Sequence, residues 1–223
     1  MIKSKYSKFL TVLLVIVIIA VVGLLGFLGY DIYKKYYTDK EAGAVVQQFE
    51  NQLLGSTEDN GGQVDTSGAT DGLDSTPGGD GSSSSSKVIT YKGFVVKGTI
   101  EIPKTGIKYP VLESVTKKSL ESSVAILYPD KAELNQVGNT VIVGHNYRNG
   151  LFFSKNNNIE NGDKIYITDL TGKKVTYVVY NKYVTTPEDA DYMVRDTGGA
   201  REISLSTCTN DSKGRIIIWA KEE

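Results

Sequence analysis

The stretch "ISLSTCTNDSKGRIIIWAKEE", Ile203 to Glu223, contains the only cysteine of the chain, between two apolar runs. Each run alternates as a half-buried strand does, and the loop "TNDSKG" between them is rich in turn-forming residues. Read as an antiparallel hairpin, Ile203–Cys208 and Arg215–Lys221 put Cys208 directly opposite Arg215, with Cβ atoms about 5 Å apart. Alternation then gives Leu205, Thr207, Ile216 and Ile218 one face, which serves as the core face. Ser204, Ser206, Cys208 and Arg215 share the other. A thiol beside a permanent cation is not in the setting of an inert core cysteine, because a guanidinium favours the thiolate.

Working outward, "VTTPEDADY" and "TGGA" precede this hairpin, and more short β-branched runs come before them: "FVVKGTIEIP", "IKYPVLE", "TVIVGHN", "DKIYITDL" and "KVTYVVYNKYV". Separators such as Asp169–Lys173 ("DLTGK") have hairpin chemistry. That density of strands over Val88 to Glu223 argues for an all-β sandwich or barrel, with one or two short helices near Lys117–Ser123 and Phe152–Asn156. No internal repeat is present.

The rest of the chain is organised differently. Residues 1–30 contain "FLTVLLVIVIIAVVGLLGFL", Phe9 to Leu28, an uncharged run that as a helix spans about 30 Å, a bilayer core. It is longer than the apolar part of a cleaved leader and lacks an A-x-A-like site, so it reads as an uncleaved anchor. Lys3, Lys5 and Lys8 on one flank are matched by Lys34, Lys35 and Lys40 on the other, and the short N-terminal tail with its free amine favours an N-terminus in the cytoplasm. Over 31–54, Thr38 and Glu41 have capping-box spacing, and Val45, Val46, Phe49, Leu53 and Leu54 recur at helical intervals. This reads as a juxtamembrane amphipathic helix near the membrane surface or against a partner, with a plain juxtamembrane spacer without a specific partner as the favoured alternative. Residues 55–87, rich in Gly, Ser and Asp and low in apolar residues, read as a disordered linker with a reach of about 30 Å. The β domain is 88–223.

Composition excludes several classes of function. The 223 residues carry 25 Lys+Arg against 26 Asp+Glu, which gives no electrostatic reason for a nucleic-acid partner. One Cys and one His fall short of a zinc ligand set, and one Cys forms no internal disulfide.

His145, the only histidine, ends the run "NTVIVGHNYRNG". Gly144 before it lets the backbone or a substrate approach closely, and a strand end projects a side chain onto a rim. Cys, His and Arg thus all stand at strand–loop junctions: a Cys–His pair makes a nucleophile, and an Arg stabilises an oxyanion. Taken singly, a lone Cys is most often a small buried hydrophobe and a lone His a satisfied structural residue. Taken together with the hairpin contact, the three favour catalysis. A non-catalytic extracellular β domain of adhesin or sensor type, with Cys208 as packing, is the alternative, as is a Cys-dependent hydrolase without transfer.

"LSTC" at Leu205–Cys208 with Arg215 opening the last strand, "VIVGHN" at Val141–Asn146, and "TIEIPKTGIKYPVLE" at Thr99–Glu113 resemble the sortases, membrane-anchored cysteine transpeptidases of Gram-positive bacteria. The resemblance spans residues 94–223 in the family's order. It implies a closed eight-stranded β-barrel in which Cys208 attacks the carbonyl after the threonine of a C-terminal sorting signal. A thioacyl enzyme forms and an amine resolves it. His145 would be the general acid/base, Arg215 would hold the oxyanion and substrate backbone, and Ser206 and Thr207 would line the groove. The partners implied are surface proteins or pilins bearing the signal and an amine of peptidoglycan or a pilin, outside the membrane that residues 9–28 cross.

"LSTC" and "GHN" look like class B sortases, with NPXTN-type signals. The short segment before "REISLSTC" has no room for that class's helical insertion and is closer to class A and pilin-linked enzymes, with LPXTG-type signals. No cofactor is implied. A calcium site of the class A kind would need Glu133, Glu188, Asp189 and Asp191 to converge.

Overall fold

In the computed structural model, the backbone is described for residues 2–55 and 88–223, and the side chains for 8–53 and 88–223. The expected linker lies, from residue 56 on, outside the described residues.

The β domain runs β1 (Thr90–Tyr91), β2 (Phe94–Ile102), β3 (Ile107–Leu112), α2 (Lys117–Ser122), β4 (Val124–Tyr128), β5 (Gly138–Val143), a 3₁₀ turn (Asn156–Asn158), β6 (Lys164–Asp169), β7 (Lys174–Thr185), β8 (Arg201–Cys208) and β9 (Arg215–Glu222). The strand order is β1-β2-β3-β4-β5-β8-β9-β7-β6, and β2 also pairs with β6. The eight strands β2 to β9 therefore form a closed barrel, and β1 is a two-residue addition on β2. Closure requires β2 to lie tightly against β6. At Gly98, beside the β2 register shift, a Cβ would fall on the Thr168 carbonyl oxygen.

The side chains at alternate strand positions fill the interior: Ile100 and Ile102, Ile165 and Ile167, Ile203 and Leu205, and Ile216 and Ile218 are all buried. Two neighbour pairs are parallel, β3 with β4 and β5 with β8. The first is made by a crossover through α2, whose N-cap Thr116 accepts from Ser119 N–H while Ser119 Oγ accepts from Thr116 N–H. Strand β4, "VAILY", is not among the runs singled out from sequence. It has five residues, follows α2 directly, and is buried over its first three without alternation.

α1 is one helix, Ile2–Gly55. No proline interrupts it, and its apolar side chains from Phe9 to Leu28 are exposed, which fits a transmembrane anchor. Exposed Tyr30, Tyr33, Tyr36 and Tyr37 follow the apolar run, the residue type found at membrane–water boundaries. The capping-box reading of Thr38 and Glu41 is corrected: both lie inside the unbroken helix, and Glu41 pairs instead with Lys92 at 2.9 Å. Of the periodic apolar positions beyond them, Val45, Val46, Phe49 and Leu53 pack toward the barrel, and Leu54 lies outside the described side chains. Ala42, Val46 and Phe49 are buried, Tyr109 Oη donates to Asp39 at 2.5 Å, and Lys108 pairs with Glu50 at 2.7 Å. Burial and the Asp39 carboxylate both push the Tyr109 phenol well above its ordinary pKa, so it stays a donor.

Candidate active site

Three adjacent strands bring the site together. β5 and β8 run parallel with Val143 opposite Ser206, and Gly144 N–H still donates to Ser206 O at 3.3 Å. The same register, carried two residues further, sets His145 beside Cys208. On the other side β9 starts antiparallel to β8, with Cys208 opposite Arg215 as the hairpin argument required. All three side chains therefore stand at one end of the barrel.

Arg215 Nη1 donates to Cys208 Sγ at 3.1 Å. The loop between them is closed on itself: Thr209 N–H donates to Gly214 O at 3.0 Å, and Thr209 Oγ1 donates to Asp211 Oδ1 at 2.5 Å. This Thr209 contact is the main reason the Asp211 carboxyl is held below its usual range. Cys208 is half-buried and free.

His145 is also half-buried, and its ring lies 4.8 Å from that of Tyr147. Burial pushes the imidazole below its ordinary pKa, against a smaller upward pull from the Glu121 carboxylate, so the neutral form is favoured. Gly144 is needed here because a Cβ would sit 2.8 Å from Val124 Cγ1 and 2.9 Å from Phe153 Cδ2. The close approach at this glycine is made by these two side chains, not by the backbone or substrate that the sequence suggested.

Ser206 and Thr207 are each 3 % exposed, so neither side chain presents a surface to a substrate. Thr207 Oγ1 donates to Gly144 O at 2.7 Å, tying β8 to the residue before His145. Ser206 shares the Cys208 face and accepts from Tyr192 Oη at 3.4 Å. That face is not open along its length: Val141, Ile217 and Tyr192 form a second buried cluster under the segment joining β7 to β8. Arg195 anchors this segment. Its guanidinium lies 4.6 Å over the Trp219 ring, pairs with Glu202, and donates to Tyr180 Oη at 2.9 Å and to Asn139 Oδ1 at 3.1 Å. Asn139 Nδ2 in turn donates to Tyr192 O at 2.9 Å.

Asn146 is the residue sequence reasoning quoted but did not single out. Its Nδ2 donates to Cys208 O at 2.9 Å and to Asn210 Oδ1 at 3.0 Å, and its Oδ1 accepts from Arg148 N–H at 3.1 Å. It bridges the His-bearing and Cys-bearing loops. An amide side chain next to the only histidine was the available signal.

The carboxylates considered for calcium do not converge: among the described residues no group of three His, Cys, Asp or Glu side chains could hold a metal ion. Glu133 is taken by Lys97 at 2.6 Å, and Asp189 accepts from Thr185 Oγ1 at 2.6 Å and Asp191 N–H at 2.9 Å.

Residues 100–223 match the Sortase domain family. A similar protein, Sortase A of Bacillus anthracis, is 34 % identical over 129 residues, covering 55 % of this chain and 58 % of that relative. Among solved structures, a Sortase D5 transpeptidase of Clostridium perfringens matches at 30 % identity with a TM-score of 0.52, covering 57 % of this chain and 79 % of that one. Sortase A of Corynebacterium diphtheriae, as a lid mutant, matches at 26 % identity with a TM-score of 0.53, covering 57 % and 70 %. The chain belongs to the sortase family.

Proposed function

We propose that the chain is a cysteine transpeptidase that joins proteins bearing a C-terminal sorting signal to an amine of the cell wall or of a pilin. The observation that carries this is the Arg215–Cys208 contact of 3.1 Å, with His145 two residues past the end of the neighbouring strand β5.

In this reading Cys208 passes its thiol proton to His145, the sulfur attacks the carbonyl carbon after the signal's threonine, and the developing oxyanion is held by the Arg215 guanidinium. His145 gives a proton to the departing amine, and a thioacyl enzyme remains. An acceptor amine then attacks the thioacyl carbonyl and His145 takes up a proton. The thiolate leaves and an amide is formed. These steps move an acyl group and protons and call on no bound cofactor. Thr207 and Ser206 act behind the site: Thr207 fixes the spacing of β8 from Gly144, and Ser206 supports the segment carrying Tyr192. The anchor over 9–28, with its N-terminus in the cytoplasm, puts the barrel outside the membrane, where both substrates are found.

The test uses the full chain in detergent micelles with LPXTG-type and NPXTN-type peptides, and follows the products with and without triglycine. Cleavage with an amide product in the presence of the amine supports transpeptidation, and the peptide consumed identifies the signal class. Cleavage to the acid alone at every amine concentration means a hydrolase, and no cleavage of either peptide contradicts the reading.

A further inference from the structure

The contacts of α1 with the barrel come in a definite order. Lys34 and Thr38 share the walls of one cavity with Glu121 of α2 and with Tyr147, Leu151 and Phe152 of the loop after β5. Lys35 Nζ stands 2.6 Å from where a Cβ on Gly150 of the same loop would be. About four turns further along the helix, Glu50 pairs with Lys108 near the start of β3. Leu53 Cδ2 then stands 3.7 Å from where a Cβ on Gly172, in the β6–β7 turn, would be. Register tells which ends these are. Leu112 at the end of β3 pairs with Ala125, and Ala125 pairs with Val143, so α2, which joins β3 to β4, lies at the His145 end of the barrel. The start of β3 lies at the opposite end, and so does the start of β7, whose last residue Thr185 pairs with Arg215. α1 therefore meets the active-site end first, nearest the membrane span, and leaves the barrel at the far end.

The turns of α1 that touch the active-site end also lie at the membrane boundary. The exposed apolar run ends at Leu28, so residues 34–38 stand about 9–15 Å beyond it along the helix. A headgroup layer extends about 5–8 Å beyond the hydrocarbon core, and the exposed Tyr30, Tyr33, Tyr36 and Tyr37 occupy these same turns. The loop after β5 and α2 are thus held at the edge of the headgroups. The far end, at Leu53, is about 35–40 Å from the end of the apolar run. Charge at the near end suits its place. Residues 117–122 and 144–155 carry four exposed cations, Lys117, Lys118, Arg148 and Lys155, against one carboxylate, Glu121. Among the described residues none of the four is in an ion pair. Unpaired cations next to a membrane span are drawn to anionic headgroups.

We propose that the active-site end of the barrel is a membrane-docking face: α1 holds it at the headgroups, and Lys117, Lys118, Arg148 and Lys155 bind anionic lipid there. The mouth of the site, with Cys208 and His145, then faces the bilayer and not away from it. The height of the barrel is set by α1 and not by residues 56–87. The proposal rests on residues 9–28 crossing the membrane and makes no use of the reaction.

The test uses the full chain in unilamellar vesicles, with the native thiol removed by Cys208→Ala. A thiol-reactive dye is placed at either end of the barrel through Glu121→Cys or Lys173→Cys, both at exposed positions. Lipids spin-labelled at the headgroup quench the dye on contact. The dye at position 121 is expected to lose most of its emission and the dye at position 173 to keep most of its own, in phosphatidylcholine with or without phosphatidylglycerol. Equal quenching at the two positions, or the reverse order, would overturn the proposal. A second pair of chains carries a flexible Gly/Ser insertion after Asp31, which uncouples the barrel from the span. In these, quenching at position 121 is expected to persist with phosphatidylglycerol and to fall to the level of position 173 in phosphatidylcholine alone. Its loss in both lipids would overturn headgroup binding by the four cations, and its persistence in both would overturn the role given to α1. The readout is a depth, so either failure leaves the transpeptidase reading standing.

Discussion

Asn146→Ala removes the side-chain bridge between the loops that carry His145 and Cys208. Two donated bonds are lost, to Cys208 O at 2.9 Å and Asn210 Oδ1 at 3.0 Å, together with the turn-forming acceptance from Arg148 N–H. A hydrogen bond contributes about 0.5–1.5 kcal/mol net, and water can reach this half-buried amide, so the two bridging bonds are worth about 1–2 kcal/mol together. Against the whole barrel that is a fall of only a few degrees in Tm, on the order of 3–6 °C. The effect on chemistry is larger, because a shift of about 1 Å between reacting groups can cost about 100-fold. The expected result is a loss of about 10- to 100-fold in kcat/KM for thioacyl formation, measured by stopped-time mass spectrometry beside a thermal melt. Asn146→Asp keeps the acceptor for Arg148 but cannot donate to Cys208 O, and is expected to be no better than alanine. A rate within twofold of wild type in Asn146→Ala, or its recovery in Asn146→Asp, would refute the bridge.

Thr207→Val leaves the buried Gly144 carbonyl without the donor now at 2.7 Å, and is expected to cost about 1–3 kcal/mol in a denaturation experiment. The single histidine gives one imidazole signal to follow by NMR. Its folded-state pKa lies below the unfolded value of about 6.5, so its contribution to stability is full above that pH and is lost as pH falls through the folded value. Glu121→Gln removes an attraction for the imidazolium and should move that titration further down. Arg195→Lys keeps charge but gives up the planar stack on Trp219, the only tryptophan; its emission should shift and the segment over 186–200 should become sensitive to protease.

The hairpin at the end of the chain was legible because everything that decides it is local. Once the loop "TNDSKG" is accepted, register alone puts Cys208 against Arg215. His145 could not be placed in that way. It reaches Cys208 through a parallel pairing of β5 with β8, strands far apart in sequence, and no turn fixes such a register. β4 was missed for a related reason: as a short strand in a parallel crossover it shows neither alternation nor a hairpin turn. On the site's outer face, sequence gave Ser206 a place near Cys208 but not its burial, because the segment that covers it is fixed by Arg195 and Asn139 through contacts no periodicity reveals. In the helix, capping-box spacing at Thr38 yielded to continuity, since nothing between the apolar span and Gly55 breaks a helix.

The most direct test of the account is the intact mass of the full-length protein after brief mixing with a cleavable signal peptide. The account predicts a new species heavier by the acyl fragment that ends in threonine, absent from Cys208→Ala and discharged on addition of amine. Peptide turnover by Cys208→Ala at the wild-type rate, or turnover by wild type with the acyl group mapped to any residue but Cys208, would contradict it.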